Sequence, residues 1–360
     1  MAGEPRIRRS RGGFAALAVS ALVALAQPPA AAGQPAQADA GKRQVEQGAK
    51  LYRDGNYDGA LSTLKKAVEL QPRSAEAHYF LGLVYFNGKR QPAQAVEEIK
   101  KAIQFKPDYA SAYYDLGLIY QAQGKRTDAE QSLKRAIELA PRNEEVRLAL
   151  ARLYERNRDT DLAIRAYQDL LALKQDHTGA LYSLGYLYES LGDHDRASEM
   201  LVRLTRADPG HPDGWYLLGR IAEKENQLAE AADYYRQAVA AKPDLVDAHY
   251  NLGFIYRSLD RKQEAAKQFL EVIRLRPEYA EAHMNLGVVY TGLNQLDDAE
   301  HEYDVAVNLK PGLAEAHYNF GVFYELHKKD VGKALVHYRK YLELGGTDER
   351  VERIVGQSKK

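Results

Sequence analysis

Apolar residues from position 41 onward recur at the spacing of amphipathic helices, and these helices come in pairs. Leu81, Val84 and Tyr85 stand at i, i+3 and i+4, which puts them on one face of a first helix. After a short turn, Val96 and Ile99 mark one face of a second helix. Neither helix is long enough to be stable alone in water, so the pattern predicts helical hairpins that are stabilised by packing.

The hairpin pattern repeats about every 34 residues through most of the chain. A small residue occupies the centre of each first helix, at Gly48, Gly82, Gly117, Ala151, Gly185, Gly219, Gly253, Gly287 and Gly321. An alanine follows twelve or thirteen residues later, at Ala60, Ala95, Ala129, Ala163, Ala197, Ala231, Ala265, Ala299 and Ala334. A proline closes seven of the repeats. Small residues let paired helices approach closely and proline ends the second helix, so the chain is predicted to contain nine hairpins.

The recurring L-G-x-x-Y … A … P pattern, as in AHYNLGFIY from Ala248, resembles the tetratricopeptide repeat. The resemblance covers 41–346 and implies an all-α fold, an α-solenoid of nine stacked helix-turn-helix units that forms a right-handed superhelix. The units are predicted at 41–74, 75–109, 110–143, 144–177, 178–211, 212–245, 246–279, 280–313 and 314–346, and they are called the first to ninth repeats below.

The two ends of the chain depart from the repeat. At the N-terminus, several arginines precede the apolar run FAALAVSALVALA and the small-x-small sequence Ala24-Leu25-Ala26, which predicts a secretory signal peptide over 1–26. The Pro-, Gln- and Ala-rich stretch 27–40 is predicted to be a flexible linker. At the C-terminus, apolar residues at helical spacing predict a capping helix within 347–360.

Composition and motifs argue against an enzyme. The 50 Lys and Arg residues balance 50 Asp and Glu residues, which disfavours a general nucleic-acid binder, and the absence of cysteine excludes disulfides and thiolate chemistry. The chain has no P-loop, dinucleotide-binding, zinc-protease or serine-hydrolase motif. Four histidines share one repeat position, which is interpreted as a packing position, namely His78, His249, His283 and His317. We expect no catalytic residues, no cofactor and no bound metal.

In the tetratricopeptide family the first helix of each unit lines a concave groove. Asn251, Asn285 and Asn319 occupy one groove position in three consecutive units, and each amide offers a donor and an acceptor to an extended peptide backbone. This ladder is similar to that of the superhelical tetratricopeptide region of O-linked N-acetylglucosamine transferases, although this chain carries no separate catalytic domain. Alternatively, asparagine is simply common at this position. The predicted peptide-binding groove consists of Tyr216, Arg220, Tyr250, Asn251, Phe254, Asn285, Val288, Tyr318, Asn319 and Val322.

The groove positions also indicate the kind of partner. Tyrosines three residues before the central glycine either face the groove or are partly buried against the neighbouring helix. The groove positions together hold eleven acidic and five basic side chains, a net charge of about −6. This charge disfavours nucleic acid and favours a protein or peptide that is neutral to basic.

These inferences combine into one functional prediction with two alternatives. The chain is predicted to be a non-enzymatic protein–protein interaction scaffold of a bacterial cell envelope, exported to the periplasm or the outside. In the first alternative, 1–26 stays attached as an anchor and the chain is a membrane-anchored assembly or secretion factor. In the second, the chain is the binding subunit of a polypeptide-modifying enzyme.

Overall fold

The computed structural model describes residues 34–358, and the regular structure of these residues is entirely helical. The chain divides into two segments, 1–106 and 107–360, which are described separately. The first segment contains α1 (Gln34–Arg53), α2 (Tyr57–Leu70), α3 (Ala75–Leu83) and α4 (Pro92–Phe105). The second contains α5 (Ala110–Ala122), α6 (Arg126–Leu139), α7 (Glu144–Arg156), α8 (Thr160–Leu173), α9 (Thr178–Ser190), α10 (His194–Ala207), α11 (Pro212–Lys224), α12 (Leu228–Ala241), α13 (Val246–Ser258), α14 (Lys262–Leu275), α15 (Ala280–Gly292), α16 (Leu296–Leu309), α17 (Ala314–Phe323), α18 (Val331–Glu343) and α19 (Glu349–Gln357).

Each odd-numbered helix up to α17 packs against the even-numbered helix that follows it. Within the second segment these hairpins stack in sequence order, because each second helix also contacts the next first helix. Within this segment the packing therefore continues from each hairpin to the next, as the repeat pattern predicts. The prediction of an all-α solenoid is confirmed.

The central small residue is required by the close approach of the paired helices. A Cβ atom on Gly321 would lie 2.5 Å from the Tyr338 ring, and one on Gly287 would lie 2.9 Å from the Tyr303 ring. Both distances are too short for a real contact. The ring or aliphatic side chain from the second helix occupies the space that the missing side chain leaves, which explains why glycine or alanine recurs there.

A left-handed residue ends the first helix of every hairpin among the described residues. The positive-φ residues in these turns are Gly55, Arg90, Gly124, Arg158, Gly192, Asn226, Asp260, Asn294 and Lys329. The backbone N–H of the following residue donates to a carbonyl of the last helical turn, as Asp159 does to Tyr154 at 2.9 Å. Only three of these nine positions are glycine, so six turns place a side chain in a conformation that L-residues rarely adopt.

Two repeats contain a short π-helical turn that was not predicted. Val84–Gly88 continues α3 and Tyr324–Lys328 continues α17 with π-helical geometry. In these two repeats the alanine follows the central glycine after thirteen residues instead of twelve. One inserted residue in an α-helix is accommodated by a wider i→i+5 turn. The thirteen-residue spacing in the sequence therefore indicates where these π-helical turns occur.

The helices at the two ends of the described residues differ from the hairpins between them. Helix α1 begins at Gln34, so the prediction of a flexible linker over 27–40 is wrong for 34–40, where alanine and glutamine favour helix. The predicted signal peptide lies outside the described residues. Helix α19 caps the last hairpin, and its Val351 and Val355 are buried in a cluster that includes Tyr338. Among residues 34–358, no helix has both the length and the apolar character needed to cross a membrane.

Candidate functional site

The first helices of the last four repeats are α11, α13, α15 and α17, and together they carry all ten predicted groove residues. A cavity of about 510 Å³, called the groove cavity below, lies at the last three of these helices. Its lining includes six of the predicted residues, namely Tyr250, Phe254, Asn285, Val288, Tyr318 and Asn319. It also includes five residues outside the predicted set, namely Arg257, Met284, Glu315, Tyr341 and Asp348. The other four predicted residues, Tyr216, Arg220, Asn251 and Val322, do not line this cavity.

Asn285 is buried and hydrogen-bonded to its neighbours, so its amide is not available to a peptide. Its side chain is 2% exposed. Its amide nitrogen donates to the Tyr250 hydroxyl at 3.1 Å and to the Glu281 carbonyl at 2.8 Å. Its amide oxygen accepts a hydrogen bond from Arg257. A peptide would have to displace these partners to reach Asn285, so its interpretation as an open rung of the ladder is corrected.

The other two asparagines differ from Asn285 and from each other. Asn251 is half-buried, and its amide nitrogen donates to the hydroxyls of Tyr235 at 3.2 Å and Tyr216 at 3.4 Å. Asn319 is also half-buried, but its side chain makes no hydrogen bond to any residue within 34–358. Asn319 is therefore the predicted rung that keeps both its donor and its acceptor available in the groove cavity.

The tyrosines three residues before the central glycine fit both interpretations given above. Tyr216, Tyr250 and Tyr318 are half-buried. Burial raises the pKa of the Tyr216 and Tyr250 hydroxyls, and each of these hydroxyls accepts a hydrogen bond from the asparagine of the next repeat. Tyr250 and Tyr318 also line the groove cavity, so their exposed faces can still contact a ligand.

A glutamate–tyrosine pair inside several repeats was missed by the sequence analysis. The buried Tyr235 hydroxyl of α12 donates to Glu223 of α11 at 2.8 Å, and the Tyr338 hydroxyl donates to Glu325. Burial alone would raise the pKa of Glu325, but hydrogen bonds from Tyr338 and Arg350 hold it below its usual range. Each of these carboxylates therefore accepts a hydrogen bond from a tyrosine in its own hairpin. The recurring spacing of glutamate and tyrosine in the sequence could have predicted these hydrogen-bonded pairs.

The seventh repeat breaks this pairing. Arg257 stands where the sixth and ninth repeats have glutamate, and Phe269 stands where they have tyrosine. The Arg257 guanidinium lies 4.6 Å from the centre of the Phe254 ring and donates to Asn285. Arg257 is half-buried, and this burial lowers the pKa of its guanidinium below its usual value.

Arg220 belongs to a separate ion-pair group. Its guanidinium donates to Glu189 at 3.2 Å, and Lys224 donates to the same carboxylate oxygen at 2.6 Å. Burial would raise the pKa of Glu189, but these two cations hold it below its usual range. Arg220 is therefore engaged with the preceding repeat, and the groove cavity lies at the first helices that follow α11.

The four aligned histidines are held between the paired helices. Each Nε2 atom lies 2.9–3.2 Å from the carbonyl oxygen of the proline that closes the preceding repeat. Each Nδ1 atom meets a side chain of the second helix, which is Glu98, Gln268, Glu302 or His337. These contacts agree with a packing position. Among the described residues, no group of three or more His, Asp or Glu side chains has a metal-binding arrangement.

The Tetratricopeptide repeat family model matches the chain over 45–110, 114–180, 148–199, 182–246 and 250–314. These matches cover well over half of the sequence, and the chain belongs to this family. Arrays of this repeat are protein–protein interaction scaffolds, and that is the class of protein which the fold and the match define. The matched family is a repeat family rather than a catalytic one.

Several solved structures are similar to the chain. The C-terminal part of a tetratricopeptide repeat-containing protein from Cytophaga hutchinsonii is 16% identical, with a TM-score of 0.60 over 67% of this chain and 99% of that one. The MamA protein is 27% identical, with a TM-score of 0.44 over 46% of this chain and 91% of that one. YrrB, described as a tetratricopeptide repeat protein with an unusual peptide-binding site, is 21% identical. Its TM-score is 0.48 over 55% of this chain and 99% of that one. No curated protein matches the chain significantly.

Proposed function

We propose that the chain is a non-enzymatic scaffold that holds a polypeptide segment against the first helices of its last three repeats. The observation that carries this proposal is the groove cavity, in which the unpaired amide of Asn319 lies among apolar and aromatic side chains. Tyr318 and Val288 supply apolar contact area, while the amide can bond to a peptide backbone. A polypeptide fits this mixture better than a small polar ligand does.

Exposed carboxylates support the proposal that the bound polypeptide is neutral to basic. Asp213, Asp247 and Glu315 stand at the same position of the sixth, seventh and ninth repeats, and all three are exposed. Within 34–358, no Lys, Arg or His side chain forms an ion pair with any of them. Glu281, the equivalent residue of the eighth repeat, pairs with Lys310 at 2.5 Å. Negative charge at this spacing would attract basic groups of a bound chain and repel nucleic acid.

Site-specific photo-cross-linking tests this function. A benzoylphenylalanine at Phe254, which is 36% exposed at the groove cavity, should cross-link a polypeptide in cells that produce the protein. The matched control places the same group at Leu270, which is 44% exposed on the second helix of the same repeat. Cross-linking at Phe254 alone supports the proposal. Equal or greater cross-linking at Leu270 contradicts it.

The proposal also includes export to the envelope, on the basis of the sequence 1–26. The expected mature chain lacks these residues and occurs in the periplasmic or extracellular fraction. Intact mass of the protein from that fraction tests this point. A mature protein that retains 1–26 and stays with the membrane favours the anchored assembly factor instead.

A further inference from the structure

Arg257 lines the proposed binding site as a cation with no carboxylate within ion-pair distance, although Glu315 of the same cavity attracts it from farther away. Of the described residues that line the groove cavity, it is the only basic one. Within 34–358, no carboxylate oxygen lies within 4.0 Å of its guanidinium. The aligned glutamates, Glu223 and Glu325, each accept a hydrogen bond from a tyrosine hydroxyl. In the seventh repeat Phe269 stands at the tyrosine position and has no hydroxyl to donate. The seventh repeat therefore reverses the charge at this position.

The position of the guanidinium is fixed from two sides. Its plane lies near the Phe254 ring, and one N–H group donates to the buried Asn285 amide oxygen. A guanidinium carries five N–H donors, so several remain for a ligand. A cation that is held in place and partly removed from water binds an anion more strongly than a mobile surface lysine does.

We propose that Arg257 binds a carboxylate group of the polypeptide held in the groove cavity. This inference rests on the proposed function and specifies its ligand: an otherwise neutral to basic segment with one acidic side chain or a free C-terminus at this point. Glu315 and Asp348 line the same cavity. Their charges would repel a doubly charged phosphate more than a carboxylate, so the carboxylate is the better fit.

Peptide pools that differ by one charge test the inference on the full chain. Acetylated and amidated nonapeptide pools carry either Glu or Gln at the central position and only neutral or basic residues elsewhere. A third pool carries central Gln and a free C-terminal carboxylate. Fluorescence anisotropy should show tighter binding, by about tenfold, of the central-Glu pool or the free-carboxylate pool than of the amidated Gln pool. The pool that gains affinity identifies the source of the carboxylate.

Two variants assign the preference to Arg257. Arg257→Gln should abolish the preference, whereas Arg257→Lys should retain part of it because the charge remains. Arg274→Gln is the matched control, since Arg274 of the same repeat already pairs with Glu271 on the outer helix α14. If Arg257→Gln does not fold, salt provides a second test: the wild-type preference should shrink as ionic strength rises.

The two proposals fail in different ways. If no pool binds the wild-type protein and Phe254 gives no cross-link, the proposed polypeptide-binding function is wrong. If the pools bind but the charged and neutral pools bind equally, only the carboxylate inference is overturned. It is also overturned if Arg257→Gln folds and keeps the full preference.

Discussion

The eighth and ninth repeats place asparagine at the same position, yet only one of the two side chains is free. Asn285 bonds to Tyr250 and Arg257 of the seventh repeat. Asn319 has no such partner within 34–358, because the eighth repeat offers Met284 and Thr291 at the aligned positions. Methionine has no hydroxyl, and the Thr291 hydroxyl already donates to the Gly287 carbonyl at 2.8 Å.

Whether the asparagine amide at this groove position is available to a ligand depends on the side chains of the preceding repeat. Tyr216 precedes Asn251, and Tyr250 precedes Asn285, and both asparagines bond to that tyrosine hydroxyl. Where methionine replaces the tyrosine, the asparagine remains available. The eighth and ninth repeats should therefore differ in stability, in pH response, in peptide binding and in the strain of their turns.

The largest difference is expected in stability. Asn285→Ala should lower the free energy of unfolding by about 1–3 kcal/mol, because Tyr250 and Arg257 lose a buried hydrogen-bond partner. Asn319→Ala should change it by less than about 0.5 kcal/mol. Urea unfolding followed by circular dichroism measures both variants. Equal losses would mean that the two asparagines have equivalent surroundings.

The histidine contacts of the two repeats should respond to pH in opposite directions. Burial and the neighbouring His317, whose Nδ1 lies 3.1 Å from that of His337, lower the pKa of His337 to about 4. Although burial alone would lower it, the hydrogen bond to Glu302 holds the pKa of His283 above its ordinary value. The ninth repeat should therefore lose stability as pH falls below about 6.5, on the order of 1–2 kcal/mol by pH 5. The pair of His283 and Glu302 stabilises the eighth repeat by a smaller amount, and this stabilisation should be lost as pH rises above about 6.5.

The variant His337→Glu checks this pH effect, because it gives the ninth repeat the His–Glu pair of the eighth. The charged neighbours Asp304 and Lys333 stay in place. The slope of unfolding free energy against pH between 7 and 5 should flatten or reverse. The slope is the readout because the lost ring contacts with Phe320 and Tyr324 lower stability at every pH. An unchanged slope would exclude His337 as its source.

The availability of Asn319 can be removed by a single hydroxyl. Met284→Tyr should place a hydroxyl next to Asn319, as Tyr250 does for Asn285, and should weaken peptide-pool binding about fivefold, or about 1 kcal/mol. Met284→Phe is the control, since it adds the ring without the hydroxyl. Equal affinities of the two variants would show that Asn319 makes no hydrogen bond to the peptide.

The smallest effect concerns the turns. Lys329→Gly should stabilise the ninth repeat by about 0.5–1 kcal/mol, because Lys329 holds a φ of 60° that glycine adopts without strain. Asn294→Gly should stabilise the eighth by less, since asparagine tolerates this conformation better. Thermal unfolding of both variants measures the difference. A larger gain for Asn294→Gly would contradict this explanation.

The sequence specified the fold more completely than the site. The recurring glycine and alanine positions predicted the hairpins, because close helix packing admits only small residues there. The π-helical turn after Phe323 follows from one extra residue, which the sequence displays. The groove cavity contains Asn285 as predicted, but burial of its amide depends on contacts between repeats that a single position does not reveal. Within 34–358, the lack of a carboxylate close to Arg257 is visible only in three dimensions, because the sequence does not show which side chains surround it.

The proposed function requires that a polypeptide is held at the open amide of Asn319. Photo-cross-linking from Phe254 tests it most directly when the wild-type background is compared with Met284→Tyr and Met284→Phe. We expect a polypeptide cross-link in the wild-type and Met284→Phe backgrounds and a marked loss with Met284→Tyr. A cross-link of equal yield in all three backgrounds would contradict it.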